Sequence, residues 1–282
     1  MTPIAAYDTH AISAQNLPAE ARYDVYLGLG HLFSLADNPE VFRVSDAGLA
    51  LGCHLLKALQ HSELQGSILD LGTGSGVQAL LMREMGATRI IATDISDIAV
   101  TTARANEIRN FGDTIVSYRA GNLFEALQTR WDKRFDLIVF NPPGWRSPSE
   151  TLKSKLRHSA NGLDLSAMFY GDDVLVEFLA QLPGRLASGG RAIVGLNSLV
   201  GIADVLNRGN KRLQGDRQKL RFKLLERVEI PLLFYTPSWQ NATPDLLEEF
   251  EQWRHAHRSA FLRVGNHFTW FYEITEVVVV DL

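Results

Sequence analysis

The feature that most constrains this chain is a series of short apolar runs, each followed by a helical stretch. The first run, Ser67–Leu71, leads into a glycine cluster and then into a helical stretch over Val77–Met85. The second run, Arg89–Thr93, precedes a helical stretch over 97–109. Short buried strands alternating with helices are typical of a parallel sheet covered on both faces. Right-handed crossovers leave few topologies for such a sheet.

Three further strands extend this pattern. They are predicted over Thr114–Arg119, Phe135–Phe140 and Arg191–Leu196, with a helix over 172–187 before the last of them.

The end of the chain has a different rhythm. Two long strand-like segments, Leu224–Tyr235 and Phe268–Asp281, flank an amphipathic helical stretch over Pro244–Phe261. Two late strands without a regular strand–helix–strand order suit an antiparallel edge on a parallel sheet. Together with the five earlier strands they predict a doubly wound, mostly parallel, seven-stranded α/β sheet.

The segment before the first strand predicts helices. Apolar positions recur at helical spacing at Tyr23, Tyr26, Leu27, Gly30, Phe33 and Leu35. Pro18 could begin this helix and Asp37-Asn38-Pro39 could end it. A second helix is predicted over about 46–59. We therefore expect a short N-terminal helical cap over 1–66 and a sheet domain over 67–282. Tyr23 and Tyr26 could close over a substrate as a lid, or could simply pack in the core.

Composition and charge restrict the class of protein. Hydrophobic residues make up 46% and charged residues 21% of the 282 residues, the balance of a soluble globular protein. The net charge of −4 argues against a nucleic-acid partner, which usually requires a basic surplus. One cysteine, Cys53, permits neither a disulfide nor a cysteine metal cage. Neither a signal sequence nor a membrane span is recognised, since Val25–Ala36 is short of the ~20 residues required. We expect a cytoplasmic protein.

A glycine-rich loop follows the first strand and opens a helix. Its residues are Asp70-Leu71-Gly72-Thr73-Gly74-Ser75-Gly76. Glycines allow sharp turning and close approach to a ligand, and such loops bind nucleotides at the carboxyl edge of a doubly wound sheet. A dinucleotide-binding loop is the alternative, although its spacing is Gly-x-Gly-x-x-Gly.

Two polar residues end the next two strands. Asp94 closes the second strand and could accept hydrogen bonds from both ribose hydroxyls of an adenosine. It could instead cap the next helix, a role that we assign to Asp97. Asn122 follows the third strand and offers both an acceptor and a donor to an adenine. A turn residue without a ligand is its alternative.

The fourth strand ends in Asn141-Pro142-Pro143. With this motif, the glycine loop and Asp94 in this order, the chain resembles the class I S-adenosylmethionine-dependent methyltransferases over about Val41–Ser198. It looks most like the branch with an Asn-Pro-Pro-aromatic signature. That branch includes protein glutamine methyltransferases, ribosomal RNA guanine methyltransferases and adenine methyltransferases.

The resemblance implies a Rossmann-like methyltransferase fold, S-adenosylmethionine as cofactor and a role for each matching residue. The expected cofactor-binding residues are Asp70, Gly72, Thr73, Gly74, Gly76, Asp94, Ile95, Asn122, Leu123 and Asn141. The expected catalytic residues are Asn141, Pro142 and Pro143. The expected substrate-binding residues are Asn141, Pro142, Gly144, Trp145, Tyr23 and Tyr26. The chain departs from the branch at Gly144, where relatives have an aromatic residue, and Trp145 comes one place later.

This motif suits methyl transfer to nitrogen. The Asn141 side-chain oxygen and the Pro142 carbonyl can accept two N–H groups and stabilise the positive charge that develops on the nitrogen. The expected acceptor is an amide, amino or guanidino nitrogen of a small metabolite or of a protein side chain. The alternatives are a nucleic-acid base methyltransferase and a non-catalytic binding protein of the same fold. Asn-Pro-Pro could also be a simple turn.

Other charged residues have plainer interpretations. Asp164, Asp172 and Asp173 could bind a cationic substrate, but solvated acids at a helix start explain them as well. The basic run over 211–223 could contact nucleic acid or form a solvated face.

Overall fold

The computed structural model describes residues 21–127, 134–159, 168–213, 218–232, 243–265 and 267–281. A two-stranded antiparallel hairpin begins the described chain, with strands β1 (Arg22–Gly28) and β2 (His31–Ala36). The helix predicted over these residues is wrong. Inward-facing residues such as Val25, Leu27, Phe33 and Leu35 also alternate with period two, and they are buried. The reversal lies at Leu29, which has a φ of +52° between two glycines of positive φ.

The hairpin packs on the helices rather than standing free. Ala36 N donates to the side-chain oxygen of Asn106 and Ser34 N to that of Asn110, each over 2.9 Å. Asn110 also donates to the Ser34 carbonyl over 3.0 Å. Helix side chains therefore satisfy backbone groups of β2 that the two-stranded hairpin leaves without strand partners.

Within the described residues, eight strands form the central sheet. They are β3 (Ile68–Leu71), β4 (Ile90–Asp94), β5 (Ser117–Ala120), β6 (Phe135–Phe140), β7 (Leu186–Asn197), β8 (Gln218–Pro231), β9 (Phe261–Val264) and β10 (His267–Asp281). Seven follow the order β5-β4-β3-β6-β7-β10-β8, and short β9 pairs with β10. The first five strands in this order are parallel to one another, whereas β10 runs antiparallel to both of its neighbours, β7 and β8. The predicted doubly wound, mostly parallel α/β class is confirmed, with one short strand added.

Helices cover both faces of the sheet. They are α1 (Asp46–Ala58), α2 (His61–Leu64), α3 (Val77–Glu84), α4 (Asp97–Phe111), α5 (Glu150–Ser159), α6 (Gly171–Gln181), α7 (Ile202–Arg212) and α8 (Thr243–His257). One apolar cluster joins α1, α3, α4 and the hairpin to one face, and a second joins α6 and α7 to the other. Within the described ranges, we find no helix with the length and apolarity needed to cross a membrane.

Local signals set the helix boundaries. The Ser45 and Ser96 hydroxyls accept from the backbone N–H groups of Gly48 and Ala99, which caps α1 and α4. The helix predicted over 172–187 ends at Gln181, because Pro183 cannot continue it and β7 already begins at Leu186.

Candidate active site

The carboxyl ends of the parallel strands meet at one edge of the sheet. Leu71 pairs with both Thr93 and Phe140, so the residues that follow these strands emerge side by side. A cavity of about 440 Å³ opens at this edge. The sequence-predicted residues that line it are Asp70, Gly72, Thr73, Gly74, Asp94, Ile95, Asn122, Leu123, Asn141, Pro142, Pro143, Gly144 and Trp145.

Two glycines of the loop line the cavity, and both have backbone angles that favour glycine. Gly72 and Gly74 have φ values of +66° and +54°. A side chain at Gly74 would point into open space, where a ligand could otherwise approach the backbone. Gly76, with a φ of +89°, does not line the cavity. A Cβ there would lie 3.0 Å from that of Ala103, so Gly76 allows α3 to approach α4.

Asp94 ties the glycine loop to the next strand. Its carboxylate accepts from the backbone N–H of Gly74 over 2.9 Å and from that of Ser96 over 3.0 Å. The side chain is half-buried and lines the cavity. A carboxylate has about four acceptor positions, so two more hydrogen bonds can be accepted from a ligand.

Asp70 is a buried acid at the end of β3. It is 2% exposed and accepts from the Thr73 hydroxyl over 2.6 Å. Burial raises the pKa of the Asp70 carboxyl to about 7, and the charge of nearby Asp94 adds to this effect. Hydrogen bonding to Thr73 opposes the shift without cancelling it. A cation beside Asp70 would favour the ionised form.

The raised pKa of Asp70 predicts how stability depends on pH. The unfolded chain releases this proton near pH 3.8, whereas the folded protein holds it to about pH 7. Between these values the folded state binds more protons, so the free energy of unfolding should fall as pH rises. Replacing Asp70→Asn should stabilise the unliganded protein above pH 7, by on the order of 2 to 4 kcal/mol. Chemical denaturation at pH 5 and pH 8 measures this, with exposed Asp97→Asn as the control. Equal pH slopes for Asp70→Asn and the parent would contradict the prediction.

The loop after β5 forms the side of the cavity. Asn122 is exposed and lines it, and Leu123 adopts a φ of +47°, which is unfavourable for a branched side chain. Ile95, at the end of the neighbouring strand, is 71% exposed. These three residues present an apolar and amide surface near the glycine loop.

Asn141 lines the cavity at the end of β6, the strand next to β3. It directly follows β6 and is half-buried, while Pro142 is buried. The Tyr272 hydroxyl donates to the Asn141 side-chain oxygen over 2.8 Å. On the other side of the amide, the Asn141 Nδ2 lies 3.8 Å from the position that a Cβ of Gly48 would take. The amide thus lies between β10, which binds its oxygen, and the start of α1.

Gly144 and Trp145 explain the departure from the aromatic signature. A Cβ at Gly144 would lie 2.6 Å from the Asn197 side-chain nitrogen, so a side chain at this position would have to displace the Asn197 amide. The Trp145 ring does not replace the aromatic residue that relatives have at position 144. It packs edge-on against Phe169 and Phe250, with centroid distances of 5.2 Å to each, and is 3% exposed. Its contribution is therefore largely to the apolar core between the sheet edge and α8.

Two acidic residues of α6 stabilise the segment that follows the Asn-Pro-Pro motif. The Asp172 carboxylate accepts from the backbone N–H of Ser147 over 2.7 Å and pairs with Arg146 and Arg208. Asp173 also pairs with Arg208, over 2.7 Å. These carboxylates are engaged by the protein's own cations, which argues against their binding a cationic substrate. Asp164 lies outside the described residues.

Tyr23 and Tyr26 lie outside the cavity lining. Tyr26 is 62% exposed on the hairpin. The Tyr23 hydroxyl accepts from the backbone N–H of Val44 over 3.1 Å, and its ring lies 4.6 Å from the Arg43 guanidinium. Arg43 in turn pairs with Asp37. Tyr23 therefore supports the segment over 40–48, which lines the cavity, instead of contacting the cavity itself.

Several cavity residues were not predicted from the sequence. They are aromatic or amide side chains brought from distant segments, namely Phe42, Tyr170, Asn197, Trp270 and Tyr272. Tyr170 has a φ of +68° at the start of α6, a strained backbone of the kind that clusters at functional sites. Trp270 and Tyr272 lie in a segment that the sequence predicts as a strand. The sequence does not show which face of the sheet their side chains occupy. Across the described ranges, no group of three His, Cys, Asp or Glu side chains is placed to hold a metal ion.

Comparison with known proteins bears on this site. Residues 33–161 match the family described as the methyltransferase small domain. A stretch of 104 residues is 38% identical to the ribosomal protein L11 methyltransferase of Lactobacillus johnsonii, covering 34% of this chain and 31% of that protein. Thus the match spans about a third of that relative's length.

Two longer matches extend the comparison. A stretch of 172 residues is 27% identical to a Methanocaldococcus jannaschii protein assigned as a protein N5-glutamine methyltransferase, covering 61% of this chain and 79% of that protein. A Streptococcus mutans protein described as an S-adenosylmethionine-dependent methyltransferase has a similar fold, with a TM-score of 0.54 at 11% identity over 95% of this chain and 57% of that one. The family match spans slightly less than half of the chain and includes the glycine loop, Asp94 and Asn141, so the candidate site lies within the part of the chain that is similar to methyltransferases.

Proposed function

We propose that this chain transfers a methyl group from S-adenosylmethionine to a nitrogen atom. The acceptor would be an amide, amino or guanidino nitrogen of a small amino-acid-like molecule or of a protein side chain. The observation that carries the proposal is the placement of the Asn141 amide in one cavity with the glycine loop and the carboxylates of Asp70 and Asp94.

The residues on the glycine-loop side fit the proposed cofactor. Gly74 leaves room for close approach of a ligand, and Asp94 retains acceptor positions suited to two ribose hydroxyls. Asp70 would face the cationic methionine part, and Asn122 would face the adenine. When bound, the cofactor supplies a methyl group on a sulfonium, which needs no metal or base to make it reactive.

Asn141 and Pro142 would hold the acceptor nitrogen. Asn141 Oδ1 can accept one N–H and the Pro142 carbonyl can accept another, so the nitrogen lone pair is left to face the methyl group. As positive charge develops on the nitrogen, these oxygen dipoles stabilise it more strongly than they stabilise the neutral substrate. With an amide acceptor, the proton can then leave to solvent, because an amide that carries a positive charge on nitrogen is strongly acidic.

Charge around the opening supports a non-nucleic-acid acceptor. Glu40 and Asp46 are exposed acids that line the cavity, and Arg43 is already paired with Asp37. Phosphates would be repelled by such acids. The Methanocaldococcus jannaschii relative, assigned to glutamine methylation, is consistent with an amide acceptor.

A labelled-methyl assay tests the proposed acceptor class. Purified protein is incubated with methyl-labelled S-adenosylmethionine and separate protein, metabolite and RNA fractions. We expect label in the protein or metabolite fraction, and its absence with Asn141→Ala. Nuclease-sensitive label in RNA would contradict the acceptor proposed here and would favour a base methyltransferase.

Salt dependence gives a second, independent prediction. An enzyme that neutralises six or more phosphates loses roughly 10³-fold or more in affinity between 50 and 200 mM salt, because counterions are released. For this protein we expect the KM for the acceptor to change by less than about threefold over that range, because few cations surround the opening. Steady-state kinetics at four salt concentrations measures this, and a steep slope would contradict it.

A further inference from the structure

We propose that Tyr272 is a positioning residue that fixes the orientation of the Asn141 amide, so that its oxygen rather than its nitrogen is presented to the acceptor. The inference rests on the proposed function of Asn141. Tyr272 lies in β10, and the hydrogen bond joins residues 131 positions apart in the chain. The phenol thus reaches the end of β6 from the antiparallel part of the sheet.

The sheet leaves a specific space for this phenol. Tyr272 pairs with Asn197 on β7, and Gly195 lies two residues away on the same strand. A Cβ at Gly195 would collide with the Tyr272 hydroxyl. Gly195 is flanked by buried Val194 and Leu196, in a strand interior where glycine is otherwise unfavourable. The missing side chain therefore lets the hydroxyl pass over β7 to Asn141.

The environment of Tyr272 makes its hydroxyl a donor. The residue is 2% exposed, and burial raises the pKa of the phenol, so it stays protonated at physiological pH. In the described part of the chain, the hydrogen-bond partner of this hydroxyl is Asn141 Oδ1. If the amide were reversed, its NH2 group would face the phenol oxygen and the phenol proton would lose its acceptor. A buried O–H without a partner is unfavourable, which selects the observed orientation.

This orientation matters for the proposed chemistry. Asn141 Oδ1 has a second lone pair, which can accept an N–H of the substrate while the first accepts from Tyr272. A reversed amide would instead present N–H donors, which would compete for the nitrogen lone pair that must attack the methyl group. Tyr272 does not touch the reacting atoms in this scheme and acts through Asn141.

Replacing Tyr272→Phe tests the inference, because it keeps the ring and removes the hydroxyl. We expect turnover to fall by about tenfold, the effect of losing one orienting hydrogen bond, while cofactor affinity and the KM for the acceptor change by less than about twofold. The matched control is Tyr118→Phe, which removes the hydroxyl of another buried tyrosine that does not line the cavity. This control should leave turnover unchanged.

The decisive comparison repeats Tyr272→Phe in the Asn141→Asp background at pH 8. A carboxylate presents oxygen in either orientation, so it needs no orienting donor. Tyr272→Phe should therefore have almost no further effect there. Where that background turns over too slowly for steady-state kinetics, the same comparison is made under single-turnover conditions. Equal losses in both backgrounds, or no loss with Asn141 intact, would overturn the inference. Full turnover of Asn141→Ala alone would instead defeat the proposed function.

Discussion

Replacing Asn141→Ala is expected to lower turnover by about 10² to 10³, by analogy with removing one hydrogen-bonding group from an oxyanion hole. Cofactor affinity should stay nearly unchanged, because in the proposed scheme Asn141 contacts the acceptor nitrogen rather than the adenosine. The effect should appear in turnover rather than in KM, since the hydrogen bond strengthens as the acceptor nitrogen becomes positive. Steady-state kinetics together with a cofactor titration separates the two quantities.

Two further variants sharpen this expectation. Asn141→Asp keeps an acceptor oxygen and should retain more activity than Asn141→Ala. Asn207→Ala, an exposed position on α7, is the matched control and should behave as the parent protein. Turnover of Asn141→Ala within a factor of two of the parent would mean that Asn141 is a turn residue, and that the chemistry lies in another loop.

Replacing Asp94→Ala should weaken S-adenosylmethionine binding by roughly 1 to 3 kcal/mol, which corresponds to about 5- to 150-fold in Kd. Ribose hydroxyls would lose their acceptors, and the Gly74 N–H would lose the carboxylate that now holds it at 2.9 Å. Isothermal titration calorimetry measures the change. Asp97→Ala, an exposed neighbour in the first turn of α4, is the control and should bind as the parent does. Unchanged affinity in Asp94→Ala would remove Asp94 from the proposed cofactor site.

The regular part of the fold was predictable from local patterns. The apolar runs at β3, β4 and β6 are short, are flanked by turn residues and alternate with helical stretches, and the structure confirms them within a few residues. Parallel order then brings Gly72, Asp94 and Asn141 to one edge without any knowledge of side-chain contacts. Sequence order alone therefore predicted that these residues share a cavity.

The hairpin over 22–36 shows where local patterns are ambiguous. Its buried positions fit both a helical and an alternating period over so short a stretch. Tertiary packing decided between them, since Asn106 and Asn110 of α4 provide hydrogen-bond partners for β2. Neither asparagine could be paired with the hairpin from the sequence.

The acceptor side of the cavity shows a different limit. Tyr272 contacts Asn141 across 131 residues of sequence, and the contact depends on strand register and on the absence of a side chain at Gly195. At Gly144 the sequence shows only that the aromatic residue of the signature is missing, whereas the structure shows that the Asn197 amide lies close to this position. Such features depend on three-dimensional neighbours that no local spacing reveals.

A direct titration of the purified protein with S-adenosylmethionine, S-adenosylhomocysteine and nicotinamide adenine dinucleotide tests the central claim. The glycine spacing, the free acceptor positions of Asp94 and the burial of Asp70 predict saturable binding of the first two ligands at one site, weakened in Asp94→Ala. The dinucleotide should show no saturable binding. Tight binding of the dinucleotide, without binding of S-adenosylmethionine, would contradict the claim that this cavity serves methyl transfer.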